Sequence, residues 1–102
     1  MDKEEAVRIS RKFISYLREN KMNITRAFIF GSYARGNHSK DSDIDLAVVF
    51  DHLDNGFLMQ IRLMQIGRKL DSRIEPHPFS EQDFKTANPF AGEIMSHGLK
   101  VA

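Results

Sequence analysis

The chain reads as an α/β domain of the α+β type, with a small mixed β-sheet flanked by helices. Three observations predict this. Residues 3–20 and 56–70 repeat apolar side chains at helical spacing. Residues 26–30, 43–50 and 72–79 form shorter runs of strand character. The two kinds of segment alternate in the order αβ(α)βαβαα(β), which argues for one sheet with helices on at least one face. With 102 residues, a single domain spanning 1–102 is expected, large enough for one core and too small for two.

In the first helix Ala6, Ile9, Phe13, Tyr16 and Leu17 recur at helical spacing, with the charged residues mostly elsewhere. "RAFIF" (26–30) is continuously apolar and suits a strand covered on both faces. Gly31 ends it, "SYAR" (32–35) forms one helical turn and Gly36 closes it. Residues 36–42 are a polar loop. In "DIDLAVVF" (43–50), Ile44, Leu46, Val48 and Phe50 share one face and Asp43, Asp45, Ala47 and Val49 the other. The helix at 56–70 aligns Met59, Leu63, Ile66 and Leu70, with Met59 and Met64 as core or interface filler. "SRIEPHPF" (72–79) carries Pro76 and Pro78, which lack donors, so it belongs at a sheet edge or at the end of the paired region. Ser80 caps a short helix over 81–87 in S-x-x-D form. Asn88-Pro89 breaks it, residues 89–98 make a last helix ended by Gly98, and "LKVA" adds a terminal strand.

The balance of 41% hydrophobic and 28% charged residues is that of an ordinary soluble domain. A formal net charge of +1 exerts no global pull on nucleic acid or membrane. Without cysteine there is no disulfide framework, and any metal ligands are oxygen or imidazole. "MDKEEAVRIS" lacks the apolar core of a signal peptide, and no apolar run approaches a membrane span. A cytoplasmic protein is the simplest expectation.

Two features point to chemistry. Asp43 and Asp45 leave the same face of a strand with Cα atoms roughly 6.5–7 Å apart. Carboxylates this close to apolar surface must be solvated, paired or protonated. A divalent cation resolves the conflict, and hard oxygen donors suit Mg²⁺ or Mn²⁺; the bland alternative is a solvated strand end. Gly31 and Ser32 stand where a buried strand gives way to a helical turn. Amides at such a junction bind phosphate, although a plain turn and cap is the commoner meaning of such a pair on its own. The stretch is neither a Walker A loop nor G-x-G-x-x-G. Together, a phosphate cradle and a carboxylate pair follow the logic of metal-assisted phosphoryl or nucleotidyl transfer.

"GSYARGNHSKDSDIDLAVVF" (31–50) resembles the signature of the DNA polymerase β-like nucleotidyltransferase superfamily. More closely, it is similar to the minimal nucleotidyltransferases (MNT), often encoded beside a helical HEPN partner as toxin–antitoxin pairs. The resemblance implies that Gly31 and Ser32 hold a nucleoside triphosphate, with ATP the expected nucleotide, and that Asp43 and Asp45 bind two Mg²⁺ ions, or Mn²⁺. The third carboxylate comes from a later strand. Glu75 is the candidate and Asp71 its competitor, while Asp41 reads as a solvated loop residue. Arg35 either helps with phosphate charge or faces solvent. The implied reaction moves AMP from ATP to an acceptor hydroxyl, with pyrophosphate released.

The acceptor implied is a hydroxyl on a HEPN toxin. A catalytically idle antitoxin acting by contact, or an aminoglycoside-type nucleotidyltransferase, are the alternatives. A homodimer is possible; membrane and nucleic-acid partners are not indicated. His38, His52 and His97 are expected at the surface. His77 shares the strand face of Glu75 and reads as a partly buried structural histidine. Phe84, Phe90, Ile94 and Met95 either complete the core or form a partner surface.

Overall fold

A computed structural model describes residues 2–102. Helix α1 (Lys3–Glu19) starts at Asp2, whose side chain accepts from the Glu5 amide at 2.8 Å, and carries Glu4 and Glu5 in its first turn. Both features favour a helix N-terminus. Ala6, Ile9, Phe13 and Leu17 form its buried stripe. Strand β1 (Ile24–Phe30) leads into the one-turn helix α2 (Ser32–Arg35), and β2 (Ile44–Phe50) into α3 (Gly56–Leu70). Strand β3 (Ile74–Ser80), α4 (Pro89–His97) and the short β4 (Leu99–Lys100) complete the order. Asn55 caps α3 and Asn88 caps α4, where Pro89 occupies the first turn and loses no helical hydrogen bond.

The sheet runs β3-β2-β1-β4. β1 is antiparallel to β2 and β4, whereas β2 and β3 are parallel and joined by the α3 crossover. It is therefore mixed, with β3 at an edge as its prolines require. At the two ends of the β2–β3 ladder the Ile44 amide donates to the Arg73 carbonyl and the Glu81 amide to the Phe50 carbonyl. The Gln60 side chain takes the Pro76 carbonyl. Odd-numbered residues thus bond inward, and Pro76 and Pro78 turn their donorless nitrogens outward.

Each sheet face has its own core. Ile44, Leu46, Val48 and Phe50 pack with α1 and Leu63 of α3. Ala47 and Val49 pack with Phe28, Phe84 and the α4 residues Ala91 and Ile94. The alternation along 43–50 is the one that periodicity predicts. β1 starts earlier than expected, at Ile24, because a register shift between Ile24 and Arg26 lets Ile24 join the same core as Ala27 and Ile29.

The expected helix over 81–87 does not form; these residues make successive turns. Ser80 does cap as its motif suggests, its Oγ accepting from the Asp83 amide at 3.1 Å. A continuing helix would give the Phe84 carbonyl to the Asn88 amide. Instead Arg26 donates to that carbonyl at 3.2 Å, and the Asn88 amide bonds the Lys85 carbonyl. Arg26 also grips Glu81 and lies 5.0 Å from the centre of the Phe84 ring. No helix among the described residues is long and apolar enough to cross a membrane.

Candidate active site

Strand register assembles the site. Phe30 of β1 pairs with Asp45 of β2, and Asp45 pairs with Glu75 of β3. Paired residues leave a sheet on the same face, so the carboxyl groups of Asp45 and Glu75 meet on the face covered by α4. His77 follows Glu75 on that face, opposite Ala47. Asp43 lies one residue before β2 begins, is exposed, and is near enough to the Glu75 carboxyl to act on it electrostatically. One ligand atom each from Asp45, Glu75 and His77 lie within 4.8 Å of one another.

These neighbours perturb Glu75. Burial pushes its carboxyl above the ordinary glutamate range; Asp45 and Asp43 push the same way, and His77 pulls it back. The cluster is thus a set of hard donors held close against their own repulsion. Such a set could hold a divalent cation, with Asp45 and Glu75 offering oxygen donors.

The Gly31 turn presses directly on this cluster. Gly31 adopts φ 73° and ψ −144°, a region that side chains rarely enter. A Cβ there would overlap the Asp45 carboxylate. No side chain caps α2, so its first amides are available to an anion beside the carboxylates. Tyr33 anchors the turn: it is fully buried in the α1-side core, and its hydroxyl reaches the Ser42 carbonyl at 3.5 Å. Ser42 in turn braces the loop by accepting from the Ser39 amide at 2.8 Å.

A cleft of about 310 Å³ opens between this turn and α4. Gly31, Arg35 and Asp45 line one side, and Phe90, Glu93 and His97 the other. Phe90 is half-exposed and meets Phe30 edge-on at 5.5 Å. Arg35 is exposed at the rim.

Asp43, Asp45, Glu75, Gly31 and Arg35 are therefore neighbours, and Ser32 opens the turn between them. Asp71 is not among them: it follows α3, and its carboxylate is held by Arg73 at 3.0 and 2.9 Å. Asp41 is an exposed loop residue. His52 and His97 are exposed as expected, but His38 is half-buried, its ring stacked on Tyr33 at 4.3 Å. The α4 wall of the cleft carries no distinctive sequence signal. Phe90, Ile94 and His97 recur at helical spacing, a signal that reads equally well as a core stripe.

Residues 11–101 match the family described as polymerase beta, nucleotidyltransferase. The protein adenylyltransferase MntA of Shewanella oneidensis is 37% identical over 65 residues, which make up 63% of this chain and 43% of that protein. A crystal structure of a toxin–antitoxin with AMP-PNP superposes with a TM-score of 0.65 at 27% identity, covering 91% of this chain and 72% of that one. A mutant of the MntA-HpeT toxin–antitoxin gives 0.64 and 25% over the same shares. The chain spans less than half the length of the curated relatives it matches.

Proposed function

This chain belongs to the polymerase β nucleotidyltransferase family, and from that premise we propose that it transfers AMP from ATP to a hydroxyl group of a partner protein. The observation that carries this reading is the contact between Gly31 and the Asp45 carboxylate. It sets an anion-binding turn against a carboxylate cluster, the juxtaposition that nucleotidyl transfer needs. The name of the Shewanella relative and the nucleotide analogue bound to the toxin–antitoxin favour a protein acceptor and ATP. A small helical toxin of the HEPN type is the acceptor we infer, with this chain as antitoxin.

In this reading the amides at Gly31 and Ser32 orient the triphosphate and Arg35 offsets its charge at the cleft rim. The acceptor oxygen forms a bond to the α-phosphorus. The bond from that phosphorus to the oxygen bridging the β-phosphate breaks, and pyrophosphate leaves. The hydroxyl proton passes to the carboxylate cluster or to water. Asp43, Asp45 and Glu75 would hold Mg²⁺, which when bound lowers the acceptor's pKa and neutralises charge on the triphosphate. The Phe30–Phe90 side of the cleft excludes water from one flank of the nucleotide.

The test is transfer of label from α-³²P ATP to the co-expressed partner. Asp43→Asn and Asp45→Asn should abolish transfer while leaving the fold intact. Glu75→Gln should cut turnover by about a hundredfold or more, the scale of losing a charge-stabilising group, with nucleotide binding largely kept. Full activity in both aspartate variants would refute the cation reading. A wild-type chain that binds its partner yet transfers no label would be an antitoxin acting by contact alone.

A further inference from the structure

His77 has a nitrogen without a partner, aimed at the carboxylates. Its Nε2 is shielded from solvent and makes no hydrogen bond. It stands 3.6 Å from Asp45 Oδ1, whereas an N–H to carboxylate hydrogen bond requires about 2.7–3.2 Å. A shielded polar nitrogen left unpaired is unfavourable, so the arrangement calls for a third body. Two donors each about 2.1 Å from one cation are about 3.0 Å apart at a right angle and about 3.4 Å apart at the tetrahedral angle. The His77–Asp45 gap is close to that separation and too long for direct bonding. Glu75 closes the third side, with all three donor atoms within 4.8 Å of one another.

The imidazole is also held in place. Its ring meets Phe30 edge-on, with centroids 5.1 Å apart and planes at 62°. Strand β3 is locked in parallel register with β2 on either side of the cluster, from Ile44↔Ile74 to Phe50↔Ser80. Swinging the ring away from Asp45 would lose the Phe30 contact, while the strand register fixes the backbone from which the ring projects.

We propose that Asp45, Glu75 and His77 form a mixed oxygen–nitrogen cation site in which His77 Nε2 is a ligand. This deepens the proposed function, since it rests on the carboxylates binding a cation and adds a donor of different chemistry. Mg²⁺ favours an all-oxygen octahedron and keeps its waters. Imidazole favours transition-metal ions. The chain therefore binds Mn²⁺ or Co²⁺ at this position in preference to Mg²⁺.

The full chain with Mn²⁺ as sole divalent ion, without nucleotide, tests this by electron spin-echo spectroscopy. Wild type should show ¹⁴N modulation from a directly bound imidazole, and His77→Gln should lack it. Calorimetry should show the Mn²⁺ dissociation constant rising at least about tenfold in His77→Gln, the scale expected for loss of a supporting ligand group, with a smaller change for Mg²⁺. A wild-type spectrum without nitrogen modulation, whether Mn²⁺ is held by oxygens alone or not held, overturns the inference, as does equal Mn²⁺ affinity in the two proteins. The transferase reading fails separately: absence of label transfer leaves the nitrogen signal in place, and transfer that depends on Asp45 without any nitrogen signal removes only the role of His77.

Discussion

Asp45 occupies the space that a side chain at position 31 would need. Glycine at 31 is therefore required twice, once for its positive φ and once for the carboxylate lying against it. Gly31→Ala should cost about 1–3 kcal/mol for the backbone alone, and more for the overlap, read as a lower urea midpoint. In the Gly31→Ala/Asp45→Ala double variant the overlap disappears and the backbone cost stays. A double-mutant cycle should then show positive coupling between the two positions. Strict additivity would mean that the turn and the carboxylate do not touch. The shared face of Asp43 and Asp45 was legible from strand parity, because residues two apart share a face, whereas the approach of Glu75 rests on the β2–β3 register. The contact of Asp45 with Gly31 was not legible, since it depends on the β1–β2 register, which no local pattern encodes.

Among the elements, β3 is the one whose placement decides the site, and Asp71 sets its start. The Asp71 carboxylate accepts from the Arg73 backbone amide and guanidinium, shaping the turn from α3 into the strand. The Arg73 hydrogen bond holds the Asp71 carboxyl below its ordinary value. A carboxylate depressed in the folded state contributes stability above its unfolded pKa and loses it as pH falls through the folded one. Asp71→Asn should therefore lower Tm at neutral pH, and the gap to wild type should close below about pH 4, near the unfolded aspartate value. A gap that persists in strong acid would assign Asp71 a role other than its charge. The segment after β3 shows where local signals stop. Ser80 and Asp83 carry a capping motif that is satisfied in the structure, yet Arg26, reaching over from β1 on the same sheet face, takes the carbonyl a helix would need. That competitor is 58 residues away in the chain and invisible to a window of any ordinary length.

At the scale of the whole molecule, the starts of β2 and β3 bring like charges together, and folding works against that repulsion. Glu75 is raised in the folded state, so its contribution is present below its unfolded pKa and is lost as pH rises through the folded one. Metal-free protein should thus lose Tm as pH rises above the ordinary glutamate value, about 4.3. Glu75→Gln should flatten that slope. A divalent ion at about a hundred times its Kd should restore stability by about 2.7 kcal/mol, roughly 10–20 °C for a domain of this size. An unchanged melting curve in Mn²⁺, Mg²⁺ and chelator would argue that the cluster holds no ion. The architecture was legible because helices and strands alternate at distinct periods. The second core was less so, since its members Phe28, Ala47, Phe84 and Ile94 come from four separate segments.

The outward-facing prolines of β3 have a consequence for how this protein meets others. The rim of the sheet formed by β3 presents Pro76 and Pro78 without donors. It does not offer the row of free amides on which a foreign chain extends a sheet. Recruitment by β-augmentation and templated growth into fibrils are both disfavoured at that edge. Association falls instead to helix faces and the mouth of the cleft, where recognition is set by side-chain shape and charge rather than by backbone pairing.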